Sequence, residues 1–327
     1  MKIINVSDLT KDYEVSVKNK EKRRFMVKRE KSYIRAVDHI NLQIEKGSCV
    51  GFIGPNGAGK STTIKMLTGI LKPTGGTINI DGFDPWSQRR KFVRRIGVVF
   101  GNRSQLWWDL PVIESFDLLK EVYNIPTPIY KSNKEKFIEI LDLEKLLNRP
   151  VRQLSLGQRM RCEVAASFLH NPEIVFLDEP TIGLDLVAKD KIREFITTLN
   201  SEKNVTIILT SHDISDIEKV CNDLIIIDKG RVVLQKKVTD IGDIFGKKRF
   251  INITYKNDFT IDDYRIQILD KGDHKAKVVI DLDEISISSM MNEIMKHTDI
   301  IDINISSTPI EEIVKAIYTE SMQLNSN

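Results

Sequence analysis

Gly54-Pro55-Asn56-Gly57-Ala58-Gly59-Lys60-Ser61-Thr62 is the stretch that decides the fold. It fits G-x-x-x-x-G-K-[ST], a glycine-rich loop whose backbone amides cradle phosphate oxygens. Just before it, Cys49-Val50-Gly51-Phe52-Ile53 is an apolar run of the kind a buried parallel strand carries. After it, Ile64, Leu67, Ile70 and Leu71 recur at helical spacing, which predicts a helix over 63–71. The loop thus lies between a strand and a helix. Gly54, Gly57 and Gly59 admit backbone angles closed to other residues, so consecutive N–H groups can form an anion nest. The helix start adds the positive end of its dipole. Lys60 is placed to reach β- and γ-phosphates, and the Ser61 hydroxyl to ligate Mg²⁺.

Around this loop the chain has 327 residues, room for about two domains. The net charge of +3 is too small to argue for a nucleic-acid partner. No apolar run approaches the roughly 20 residues that span a bilayer. The N-terminal Met1-Lys2-Ile3-Ile4-Asn5 lacks the apolar core of a signal peptide. The expectation is a chain that does not cross a membrane by itself. Cys49, Cys162 and Cys221 are scattered, which suggests reduced, buried thiols, and no paired Cys/His spacing suggests a metal site.

Upstream of the loop, residues 3–9 and 37–44 read as strands. Between them, residues 18–35 are strongly basic. A solvated hairpin is one reading and contact with anionic lipid headgroups the other. Downstream, strands are expected over 77–80 and 96–100. From 102 to 170 the pattern turns helical, broken at Pro111, Pro126, Pro128 and Pro150, as in a helical insertion within an α/β core. The core returns with Ile174-Val175-Phe176-Leu177-Asp178. A helix is expected near 187–199, a strand over 205–210, a helix from about 213 and strands over 224–227 and 232–234. Past residue 240, strands over 250–255, 277–282 and 301–305, with helices near 284–296 and 309–320, suffice for a small α+β domain.

Two further motifs carry chemistry. Asp178 ends an apolar strand, where an acidic residue can hold Mg²⁺ through water, and Glu179 beside it can polarise an attacking water. Leu154-Ser155-Leu156-Gly157-Gln158 precedes a helix, with Ser155 suited to the N-cap and Gly157 to close backbone approach. That is a second anion site. One nucleotide has no use for two such sites in one subunit, so Ser155 and Gly157 make sense against a partner subunit's nucleotide.

Together these residues resemble an ATP-binding-cassette (ABC) ATPase. The phosphate loop, the 154–158 signature, Asp178-Glu179, the loop Gly183-Leu184-Asp185 and His212 within Thr210-Ser211-His212-Asp213 stand in family order. The resemblance covers roughly residues 1–240, and residues 241–327 form the accessory α+β domain. It implies a phosphate-loop α/β core with an antiparallel N-terminal β layer and a helical subdomain over about 102–170. It also implies ATP and Mg²⁺ as ligands. Tyr13 would stack on adenine, residues 54–62 would bind phosphates, and Ser155, Gly157 and Gln158 would meet the partner's nucleotide. Glu179 would act as general base, His212 would contact the γ-phosphate, and Asp185 would communicate across a homodimer. The implied partner is a separately encoded membrane permease, with the chain peripheral on the cytoplasmic face and no nucleic acid expected.

Two departures matter. The usual second signature glycine is Leu156, and with Trp107-Trp108-Asp109-Leu110-Pro111 this resembles the subfamily serving drug, lipid and polysaccharide exporters. The loop after residue 100 carries Asn102 where a glutamine is expected, so its reach to Mg²⁺ or water is shortened, while Gln105 lies nearby. Trp107 and Trp108 fit either a core pair or a docking groove. A soluble ATPase clamping ribosome or DNA is the alternative function. It usually needs two cassettes or a long coiled coil, and this chain has neither. A module that holds ATP without hydrolysing it is a third reading, favoured by Asn102 and opposed by Glu179.

Overall fold

The computed structural model describes residues 1–18, 29–101, 103–211, 213–241, 248–261 and 263–307. The expectations for Asn102, His212, the middle of the basic stretch and the 309–320 helix lie outside these. The chain divides into two compact units, Met1–Lys236 and Lys237–Asn327.

The first unit begins with β1 (Lys2–Lys18) and β2 (Arg29–Glu45), paired antiparallel from Lys2↔Glu45 to Lys18↔Arg29. Then come β3 (Cys49–Ile53), α1 (Lys60–Leu67), β4 (Gly75–Ile80), the single turn α2 (Arg89–Phe92) and β5 (Ile96–Phe100). The helical stretch holds α3 (Val112–Tyr123), α4 (Thr127–Leu141) and α5 (Leu156–Phe168). The core resumes as β6 (Ile174–Asp178), α6 (Leu186–Lys203), β7 (Thr206–Thr210), α7 (Ile214–Val220), β8 (Asp223–Asp228) and β9 (Arg231–Lys237).

Two sheets result. The first, in order β2-β1-β4, is the antiparallel N-terminal layer. The second, β5-β6-β7-β3-β8-β9, is parallel from β5 to β8. β3, β6 and β7 are buried along most of their length, which is why they read as unbroken apolar runs. Ile4, Leu9, Ile40, Phe52, Ile64, Phe176 and Ile225 belong to one apolar cluster that joins both sheets and α1. Burial of such a cluster supplies the main driving force for folding.

The register places the site. Phe100 pairs with Asp178, Asp178 with Thr210, and Thr210 with Phe52. The last residues of β5, β6 and β7 and the last but one of β3 therefore form one row. In open α/β sheets ligands bind beyond the carboxyl ends of the strands.

Some boundaries differ from the sequence expectations. β1 and β2 run well past 9 and before 37, because each supplies the other's ladder partners. The first helix spans Lys60–Leu67 rather than 63–71. Gly69 takes a left-handed φ of 68°, the Gly69 and Ile70 N–H groups donate back to Met66 and Lys65, and the helix stops.

The second unit holds the short 3-10 turn Val238–Asp240 and then β10 (Lys248–Tyr255), β11 (Ile266–Gly272), β12 (Lys275–Asp281), α8 (Ile287–Met295) and β13 (Ile300–Ser307). Its sheet has the order β11-β12-β10-β13, all antiparallel. β11 is a strand the sequence reading missed. Ile251, Ile253, Val278, Ile280, Met290 and Ile294 form its core. Among the described residues no helix of either unit is long and apolar enough to cross a membrane.

Candidate functional site

The loop between β3 and α1 starts the site. Gly59 has φ 102°, and a Cβ there would stand 2.6 Å from the Ala36 carbonyl, so no other residue fits. Its N-cap position carries no side-chain cap, which leaves the first N–H groups of α1 open to an anion. Lys60 is 6% exposed, and its ammonium donates to the carbonyls of Gly54 at 2.6 Å and Pro55 at 3.1 Å. An ammonium has three donors. Burial pulls its pKa down, opposed by the carboxylates of Glu179 and Asp178. Pro55, Asn56 and Gly57 are exposed, Ala58 is buried, and Ser61 and Thr62 are half-buried.

Asp178, at the end of β6, reaches across the strand row. Its Oδ1 accepts from Thr210 Oγ1 at 2.7 Å and lies 3.4 Å from Ser61 Oγ. A hydroxyl and a carboxylate set this way offer hard oxygen donors that suit Mg²⁺. Among the described residues no group of three or more His, Cys, Asp or Glu could hold a metal.

Glu179 takes a left-handed φ of 56°. Its N–H donates to the carbonyl of Thr210 at 3.2 Å and to its hydroxyl at 2.9 Å. Lys60, Ser61, Asp178 and Glu179 are thereby brought together, and Thr210, which in the sequence only flanks Ser211 and His212, joins them. A threonine at the end of the next parallel strand is the signal that was available.

The other expected residues lie elsewhere or remain unplaced. Ser155 caps α5, its hydroxyl accepting from the Gln158 N–H at 3.3 Å while the Gln158 side chain accepts from the Ser155 N–H at 3.0 Å. This is a capping box, and it leaves the exposed Ser155 O–H able to donate outward. A Cβ on Gly157 would stand 3.2 Å from Ala188 Cβ, so this glycine already serves packing against α6. Asp185 caps α6, accepting from the Ala188 N–H at 2.8 Å. Tyr13 lies on β1 opposite Ile34, 38% exposed, with the Lys11 ammonium 5.4 Å from its ring centre.

Gln105 is tied down. Its N–H donates to Glu163 Oε2 at 3.0 Å and its side-chain amide to the Glu163 carbonyl at 2.8 Å. Ser104 donates to the other carboxyl oxygen. Glu163 is 3% exposed on α5, and burial pushes its carboxyl pKa up against the pull of these donors. Trp107 and Trp108 are 41% and 51% exposed, which rules out the core-pair reading, and Arg159 lies 5.6 Å from the Trp108 ring centre.

This fold and site define a phosphate-loop nucleotide hydrolase. Residues 37–182 match the family model described as ABC transporter. The ABC transporter ATP-binding protein NatA of Bacillus subtilis is 35% identical over 64% of this chain and 85% of its own length. The Nod factor export ATP-binding protein I of Cupriavidus metallidurans is 37% identical over 63% of this chain and 68% of its own. The methionine import ATP-binding protein MetN 2 of Enterococcus faecalis is 35% identical, covering 64% of this chain and 61% of its own. Among solved structures, the dimeric post-hydrolysis state of the cassette MJ0796 with ADP and Pi superposes with a TM-score of 0.61 at 28% identity. It covers 72% of this chain and 98% of that one. The chain belongs to the ABC transporter ATP-binding proteins, a family of ATPases.

Proposed function

We propose that this chain is the ATP-hydrolysing subunit of an ABC exporter, acting as a homodimer on a separately encoded permease. It would sit peripherally on the cytoplasmic face of the membrane. The observation that carries the hydrolytic reading is Asp178, whose carboxylate reaches both Ser61 and Thr210 beside the Lys60 ammonium. Residues 54–62 would take the β- and γ-phosphates, with Lys60 neutralising charge on the transferring group. Ser61 and Asp178 would hold Mg²⁺, which supplies charge neutralisation on the phosphates when bound. Glu179 would orient the attacking water and accept its proton. Tyr13, 38% exposed on β1, would stack on adenine. His212 and Asn102 belong to this proposal by sequence position.

A second subunit would complete each site. The Ser155 hydroxyl and the exposed start of α5 are set to meet the partner's γ-phosphate, with Gly157 and Gln158 shaping that helix start. Asp185 holds the start of the neighbouring α6. The dimeric MJ0796 structure supports this arrangement. Export is supported by Leu156 within the signature and by the Nod factor export relative, while the MetN 2 relative serves import. Trp107 and Trp108, exposed beside the helical subdomain, suit docking of a permease helix. The test is to purify the chain with its genomic neighbour in nanodiscs and follow phosphate release. Stimulated, Mg²⁺-dependent turnover is expected. Turnover indifferent to any membrane protein would count against the transporter reading.

A further inference from the structure

The carboxylate of Asp216, on α7, is wholly buried, and the mechanism above gives it no task. Its Oδ2 accepts from Thr181 Oγ1 at 2.5 Å and from Ser211 Oγ at 2.8 Å. Its Oδ1 accepts from Arg193 Nε at 2.8 Å and from a second guanidinium N–H. Arg193 is 6% exposed on α6, and two further N–H groups donate to Asp190 at 2.9 Å and Ser215 at 3.1 Å. One buried carboxylate therefore gathers hydroxyls from two loops. Thr181 lies two residues past Glu179, and Ser211 is the first residue past β7.

Thr181 and Ser211 both lie just past the carboxyl ends of strands, outside any ladder. Glu179 also has a left-handed backbone, a conformation that persists only where its surroundings hold it. On one side it is held by Thr210. On the other, the chain is tied through Thr181 to Asp216. The charge of Asp216 is matched by Arg193, so the anchor is a paired, fully hydrogen-bonded buried ion. Buried networks of this kind fix one arrangement when every member is satisfied.

We propose that Asp216 is a positioning residue for ATP hydrolysis. Through Thr181 and Ser211 it holds the Glu179 loop and the loop after β7 in one fixed relation, so that the water-orienting carboxylate keeps its place at the γ-phosphate. This inference rests on the hydrolytic reading above. Asp216 does not touch nucleotide. Its effect passes through the geometry of Glu179.

Thr181→Val keeps the side chain's shape and removes only the hydroxyl. Thr181→Ser restores it. The measurements are steady-state ATPase rates, ATP binding and melting temperature for the parent, Thr181→Val, Thr181→Ser, Ser211→Ala and Glu179→Gln. Thr181→Val is expected to lower kcat by about tenfold or more, since small misplacements of catalytic groups carry large rate costs. KM and ATP affinity should stay within about twofold, because ground-state binding is untouched. Thr181→Ser should recover most of the rate, and Ser211→Ala should act in the same direction as Thr181→Val. If Thr181→Val turns over like the parent, or Thr181→Ser is as slow as Thr181→Val, the proposal is overturned while the hydrolytic reading stands. A parent no faster than Glu179→Gln would overturn both.

Discussion

The backbone N–H of Gln105 donates to the carboxylate of Glu163 at 3.0 Å, and its side-chain amide donates to the carbonyl of the same residue at 2.8 Å. The loop that leaves β5 is thus pinned to the middle of α5, the helix whose first turn carries Ser155 and Gly157. Gln105 is committed to this contact in the structure. Ser104 and Gln105 are thereby both tied to Glu163 on α5.

Glu163→Ala would leave the Gln105 N–H and the Ser104 hydroxyl without their buried acceptor. The expected cost is about 2 kcal/mol, a typical penalty for orphaned buried donors. In a unit of this size that lowers the melting temperature by roughly 4–8 °C. Differential scanning calorimetry of the two proteins measures it. An unchanged transition would show that the loop releases without cost.

Glu179→Gln keeps size and removes the carboxylate. ATP binding should survive while hydrolysis falls by about two orders of magnitude, the scale expected of a lost general base. The variant should accumulate as an ATP-bound dimer, detectable by size-exclusion chromatography with Mg-ATP. Undiminished phosphate release would remove Glu179 from that role.

Ser155→Arg places a bulky cation where the signature hydroxyl would meet the partner's nucleotide. In the Glu179→Gln background, ATP-driven dimers should disappear while ATP binding to the monomer stays nearly intact. Dimers that persist in this double variant would argue against a shared site.

His170 supplies a pH dependence. Its ring stacks on Tyr123 with centroids 4.0 Å apart, and its Nε2–H donates to the Ile96 carbonyl at 3.0 Å. Burial lowers its pKa from 6.5 to about 4, against the opposing Ile96 contact. Its Nδ1 is buried without a partner, so the protonated ring would bury an unpaired N–H. The folded pKa is the lower one, so the unfolded chain binds more protons between these values. His170 therefore contributes stability that is present above pH 6.5 and lost as the pH falls towards 4. Urea melts from pH 7.5 to 4.5 should show His170→Phe losing less stability than the parent over that span. Parallel curves would place the acid sensitivity elsewhere.

Much of the core was legible because its signals are contiguous. An apolar run, a glycine-rich loop and a helix lie next to one another from Cys49 onwards, and Ile174–Asp178 reads as a buried strand ending in acid. The end of the first helix was less legible, because Ile70 and Leu71 keep the helical period while Gly69 turns the backbone. β11 escaped notice because the alternation of Ile266 and Ile268 breaks at Asp270, where the ladder itself shifts register. The long β1–β2 ribbon was hidden by its charge, and only pairing between the two strands defines it. Contacts such as Thr210 to Asp178, or Thr181 to Asp216, join residues more than thirty positions apart. No local pattern encodes such pairs.

The backbone of Glu179 sets durability against work. A left-handed glutamate costs on the order of 1 kcal/mol, and glycine or asparagine would relieve part of it. Glu179→Gly should therefore melt no lower than the parent, and Glu179→Asn close to it, while both are inert. A laboratory evolution campaign that screened this protein for heat resistance alone would drift towards such residues and end with a sturdier fold that no longer turns over.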